Sequence, residues 1–197
     1  MTLDVYRGPM GRILSPLARM LYKHGVSANQ LSLLSLVSAI VAGVAFYSQL
    51  LVLAIVALAC NALFDALDGC LARTSNSESR QGDLIDHVVD RYSDIFIFVG
   101  ITLGGYVTWQ IGLVVIVGVL MTSYLGTQAQ ALGVGRNYSG LLGRADRLVL
   151  VFFVALLNLI FPANIIWFPL LGWMMVFVAI ASNITALQRF YLAYREI

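Results

Sequence analysis

Long apolar runs, broken by short polar stretches, dominate the chain. Six segments stand out: Gln30 to Gln49, Leu50 to Leu71, Leu84 to Val107, Trp109 to Gly133, Leu148 to Phe161 and Asn164 to Ala186. As helices they would be about 20 to 37 Å long, enough to match a hydrocarbon core of about 30 Å. The pattern predicts an all-α, polytopic membrane protein with six transmembrane helices. Ahead of the first span, Tyr6 to Tyr22 sets Ile13, Leu14, Leu17, Met20 and Leu21 at helical spacing opposite Arg12, Arg19 and Lys23. That pattern suits an N-terminal amphipathic helix lying in the interface; a soluble arm that only orients the protein is the competing reading. Ser27, just ahead of Ala28-Asn29-Gln30-Leu31, reads as the N-cap of the first span. With no internal repeat, low-complexity segment or long linker, residues 1–197 read as one membrane domain. Residues 1–26 form its juxtamembrane amphipathic segment and 27–197 its six-helix bundle.

Composition supports this reading. Of 197 residues, 60% are hydrophobic and only 11% charged, against about 25% charged in a soluble domain. A soluble enzyme and a disordered tail are excluded. The net charge of +2 is too small for a nucleic-acid footprint, and the aromatics are not interleaved with basic residues. Cys60 and Cys70 lie on one predicted helix about 15 Å apart along its axis, too far for a disulfide. The N-terminal stretch contains Pro9, Pro16 and four basic residues but no continuous apolar core, so no cleaved signal peptide is expected.

The charges are strongly segregated. All Lys and Arg residues fall before the first span, at the second-to-third connection (Arg73, Arg80 and, just inside the third segment, Arg91), between the fourth and fifth, and at the C-terminus. The alternate connections carry none, which predicts both termini on the cytoplasmic side. The acidic residues lie in or beside the same regions, so chemistry is expected at the cytoplasmic face.

The informative stretch runs from Asn61 to Asp94. Asp65 and Asp68 are three residues apart and Asp86 and Asp90 four, so each pair shares one face of its helix. Counted along the helices, both pairs arrive at similar depth. Four carboxylates gathered there would repel one another and resist desolvation, at about 2.5 to 3.5 kcal/mol for a single Asp at a span centre. A cation among them resolves the conflict, and hard oxygen ligands in this number suit Mg²⁺ or Mn²⁺. His87 points away from Asp86 around the helix and reads as structural. Gly69, Ala72 and Gly82 open space near the carboxylates and Arg73 offers a guanidinium fork to phosphate oxygens; tight helix packing is the alternative for the small residues.

Asp65-x-x-Asp68-Gly69-x-x-Ala72-Arg73, eight residues, then Gly82-x-x-x-Asp86-x-x-x-Asp90 resembles the signature of the CDP-alcohol phosphotransferase family, with every motif position filled. The resemblance implies transfer of a substituted phosphoryl group from a CDP-linked lipid to an acceptor hydroxyl, releasing CMP. It implies that Asp65, Asp68, Asp86 and Asp90 bind one or two divalent cations and that Asp90 is also the catalytic base. Asn29, Asp68, Gly69, Ala72, Arg73 and Gly82 would hold the CDP moiety. Asn29 matches the family's Pro-Asn element, with Ala28 in place of the proline. A homodimer is implied as well.

Arg136, Arg144 and Arg147 form a second basic cluster in a segment similar to that of inositol-phosphate-accepting members. They are candidates to bind a phosphorylated acceptor such as glycerol phosphate or inositol phosphate. Gly126 and Gln128 stand where that subgroup often has lysine and arginine. The three arginines also fit plain topology determinants. A soluble CDP-polyol donor is an alternative within the family. A transporter is the alternative outside it, but charges crowded on one side, without paired breaks in the spans, argue against it.

Overall fold

The structure, a computed structural model, describes residues 7–75, 79–135 and 140–197. Its seven helices are α1 (Arg7–Lys23), α2 (Ala28–Tyr47), α3 (Leu51–Thr74), α4 (Arg80–Leu103), α5 (Trp109–Ala131), α6 (Arg144–Ile160) and α7 (Leu170–Glu196). The all-helical expectation holds among the described residues. Ser27 caps α2 through a reciprocal pair: Gln30 N donates to Ser27 Oγ at 3.3 Å, and Ser27 N to Gln30 Oε1 at 2.9 Å. Arg12 lies within α1, but its side chain is outside the described set, as are Arg136 and its neighbours.

Helices α2, α3, α5 and α7 are long and apolar enough to cross a membrane. By contrast, α4 carries a charged first half, and α6 has only 17 residues. The sixth apolar segment begins as a helix only at Leu170, six positions later than its apolar pattern suggests, and continues to Glu196. Pro169 explains the delay: it sits at the N-cap with φ −67° and disfavours helical backbone in the residue before it. The Ile165–Phe168 stretch instead makes a tight turn, with Ile165 N donating to Phe168 O at 2.9 Å.

Small residues bring the helices together. Gly43 on α2 meets Gly100 on α4 so closely that a methyl group on Gly100 would collide with the Gly43 carbonyl. Asn61 on α3 donates to Ser35 O on α2 at 2.9 Å. On the other side of the bundle, Thr122 on α5 donates to Ser182 O on α7 at 2.9 Å. Asn158 on α6 accepts from Leu171 N at 3.1 Å, satisfying a donor in the first turn of α7. Aliphatic side chains on outer faces, among them Leu33, Val37, Val44, Leu113 and Val117, are exposed, as lipid-facing positions of a spanning helix would be.

Candidate active site

Asp65 and Asp68 lie in the last three turns of α3, and Asp86 and Asp90 in the first three turns of α4. The end of α3 and the start of α4 lie together, so both pairs meet at the same end of the bundle. One carboxylate oxygen from each of Asp65, Asp68 and Asp86 lies within 4.8 Å of the other two. Asp68 is only 5% exposed and is fixed from α2, where Ser32 Oγ donates to its Oδ2 at 2.6 Å. The three oxygens fit a hard divalent cation: ligands at about 2.1 Å from such an ion are up to about 4 Å apart, within easy rotamer adjustment of this spacing.

Asp90 stands to one side of this trio and faces α6. Its Oδ1 lies 2.7 Å from Arg144 Nη1, and its Oδ2 accepts from Arg91 Nη1 at 3.2 Å. The same Arg144 Nη1 donates to Asp65 Oδ1 at 3.0 Å. Arg144 therefore spans the two acidic helices at the edge of the trio. Several contacts hold the α6 N-terminus that carries it, among them Arg147 Nη1 donating to Leu142 O at 3.5 Å. Gly143 N donates to Asp146 Oδ2 at 3.1 Å, and Leu142 N donates to Thr185 Oγ1 on α7 at 3.2 Å.

The expected donor residues converge next to the trio. The Arg73 guanidinium folds over Gly69, where a methyl group would lie 3.3 Å from its Nη1. Asn29 Oδ1 would lie 3.8 Å from a methyl on Gly82, so the start of α2 reaches the start of α4. Gly69, Ala72 and Gly82 are half-buried, while Asn29 and Arg73 are exposed. His87 Nδ1 lies 3.8 Å from carboxylate oxygens of both Asp83 and Asp86, closer to the acidic face than its helical position suggests.

Arg147 departs from the expected acceptor set. It is 1% exposed, with Nη2 donating to Asp94 Oδ2 at 2.9 Å. The fold encloses it instead of presenting it to a soluble acceptor: it shares the face of α6 that carries Arg144 but lies one turn further along the helix, against buried Asp94. Two residues at the site were not singled out from sequence. Asp94 continues the four-residue spacing of Asp86 and Asp90, a signal available in the chain. Ser32 is one serine among several on an apolar helix and carries no such signal.

The fold and site together define an integral membrane protein with a carboxylate-lined centre at one end of its bundle. Residues 25–185 match the CDP-alcohol phosphatidyltransferase family. The chain belongs to that family and is an enzyme of that class. Archaetidylinositol phosphate synthase of Pyrococcus horikoshii is 34% identical to it over 96% of this chain and 93% of its own length. The structure is also similar to that of Mycobacterium tuberculosis phosphatidylinositol phosphate synthase with CDP-DAG bound, with TM-score 0.79, 27% identity and coverage of 93% of this chain and 94% of that one. The same mycobacterial enzyme in complex with manganese and citrate matches with TM-score 0.78 and 26% identity, over 92% of this chain and 88% of that one.

Proposed function

We propose that this enzyme transfers the phosphatidyl-type group of a CDP-linked lipid to a hydroxyl of a polyol phosphate, inositol phosphate or glycerol phosphate, releasing CMP. The convergence of Asp65, Asp68 and Asp86 beside the Asp90–Arg144 pair carries the reading. The relatives named archaetidylinositol phosphate synthase and phosphatidylinositol phosphate synthase favour inositol phosphate; Gly126 and Gln128 keep glycerol phosphate in the comparison.

In this reading Asp65, Asp68 and Asp86, completed by Asp90, hold one or two Mg²⁺ or Mn²⁺ ions. A cation held there would supply positive charge to neutralise the pyrophosphate and the departing CMP. Asn29, Gly69, Ala72, Arg73 and Gly82, with Asp68, cradle the nucleotide: the small residues allow close approach and Arg73 supplies the fork. Asp90 takes the proton of the attacking hydroxyl, a task a carboxylate performs within hydrogen-bond reach. Its contact with Arg144 keeps the two oxygens oriented. Arg144 also binds the acceptor phosphate, and Arg136 is a second candidate for that contact. Such catalysis is mainly positioning and charge neutralisation, which suits side chains fixed on packed helices.

The same reading treats α2 to α7 as six spans and α1 as an interfacial helix, together forming a single domain. Both termini and the site face the cytoplasm, so the donor's tails stay in the bilayer while its nucleotide meets the carboxylates at the surface. The charge segregation supports that orientation. A homodimer through membrane helices is part of the reading on family resemblance.

The test is CMP release by the purified protein with a CDP-linked lipid and Mg²⁺ or Mn²⁺, across inositol phosphate, glycerol phosphate, serine, inositol and glycerol. Release that requires both metal and one phosphorylated polyol is expected. Chelation by EDTA and the Asp86→Ala substitution should each abolish it. Equal release with every acceptor, or none with any, would refute the acceptor assignment.

A further inference from the structure

We propose that Asp94, one turn beyond Asp90 on α4, is a positioning residue that sets the direction of the acceptor arginine. The inference rests on the acceptor-binding role proposed for Arg144. Asp94 and Arg147 are each 1% exposed, although a buried ion pair is a poor source of stability because desolvation offsets its attraction. The pair's geometry offers another use. One Asp94 oxygen, Oδ2, accepts from Arg147 Nη2 at 2.9 Å, and the other, Oδ1, lies 3.5 Å from Arg144 Nε. Arg147 thus fixes the carboxylate from α6, and its free edge faces the arginine one turn earlier on the same helix.

A guanidinium is a rigid planar fork, so two fixed nitrogens determine the third. Arg144 Nη1 lies against Asp65 and Asp90 at 3.0 and 2.7 Å, and Asp94 draws Nε by charge at 3.5 Å, without a hydrogen bond. Nε and Nη2 are both buried without a hydrogen-bond partner, but of the two only Nε has a described carboxylate beside it. A buried donor of that kind calls for an acceptor, and a phosphate oxygen supplies one with charge assistance. Without Asp94, Nη1 alone would hold the plane, and the guanidinium could rotate away from the incoming phosphate. Asp94 therefore shapes acceptor affinity without touching the acceptor.

The experiment compares wild type, D94N, D94N/R147M and R144A as full-length purified chains, measuring kcat, both KM values and thermal stability. Inositol phosphate, glycerol phosphate and unphosphorylated inositol serve as acceptors. D94N should raise KM for the phosphorylated acceptor about tenfold or more, as expected for loss of a charged contact, and leave donor KM within about twofold. D94N/R147M, which removes both buried charges, should recover wild-type thermal stability yet keep the acceptor defect. Recovery of acceptor KM in the double variant would overturn the proposal, since Asp94 would then merely balance Arg147. So would parallel rises in donor and acceptor KM, which signal general loosening. If D94N alone fails to fold, the double variant carries the test. An R144A enzyme with unchanged acceptor KM would refute the acceptor role of Arg144, and the inference with it; a raised KM in R144A beside a normal one in D94N/R147M would sink the positioning role alone.

Discussion

Asp90 keeps its two oxygens on two different arginines, Arg91 on its own helix and Arg144 on α6. Held this way it faces in one orientation, as the general-base role proposed for it requires. Asp90→Asn retains the size and most contacts but loses basicity, so kcat should fall by about 10²- to 10⁴-fold. Binding of the CDP-linked donor, measured by titration, should change little; an Asp90→Asn enzyme with normal kcat would remove Asp90 from the proton transfer. The four motif aspartates were legible in sequence because helical periodicity converts spacing directly into a shared face. Ser32 was not, since its value lies in a contact with Asp68 from a helix 36 positions away in sequence. The separate fates of Arg144 and Arg147 were hidden for a related reason: only the docking of α6 decides which arginine faces the centre and which is enclosed.

The crossing of α2 with α4 places a backbone carbonyl where a side chain at Gly100 would begin. That approach sets the spacing between the helix carrying Ser32 and the helix carrying Asp86 and Asp90. Gly100→Leu should therefore push α2 and α4 apart, costing about 1 to 3 kcal/mol or more, and should weaken metal-dependent activity although it lies more than two turns from Asp90. A lowered thermal midpoint together with a raised metal requirement would show this; unchanged values would mean that the crossing can relax. Among the described elements, sequence pattern located α2 to α7 by their apolar runs and α1 by its amphipathic spacing. It misjudged the start of α7, where Ile165, Ile166, Trp167 and Phe168 are as apolar as a span but precede Pro169. Apolarity reports the environment of a segment, while the proline ring decides its backbone.

Across the whole molecule, the described acidic groups of the site and their arginine partners gather at one end of the bundle. The opposite connections, such as Ser48 to Leu50 between α2 and α3, carry no charge. With Cys60 and Cys70 replaced by alanine, a cysteine at Ser48 should react with an impermeant maleimide in intact cells, and one at Lys23 only after permeabilisation. The reverse pattern would invert the proposed orientation. The carboxylates also ride on two continuous helices instead of on loops, so the centre has a phase as well as a composition. Deleting one residue between Asn61 and Asp65 would turn one against the other by about 100° and slide it about 1.5 Å. Asn61 could then keep its bond to Ser35, or Asp65 its place in the trio, but not both. Drift in length is thereby confined to the connections, and inside α3 and α4 the count of residues is as binding a constraint as their identity.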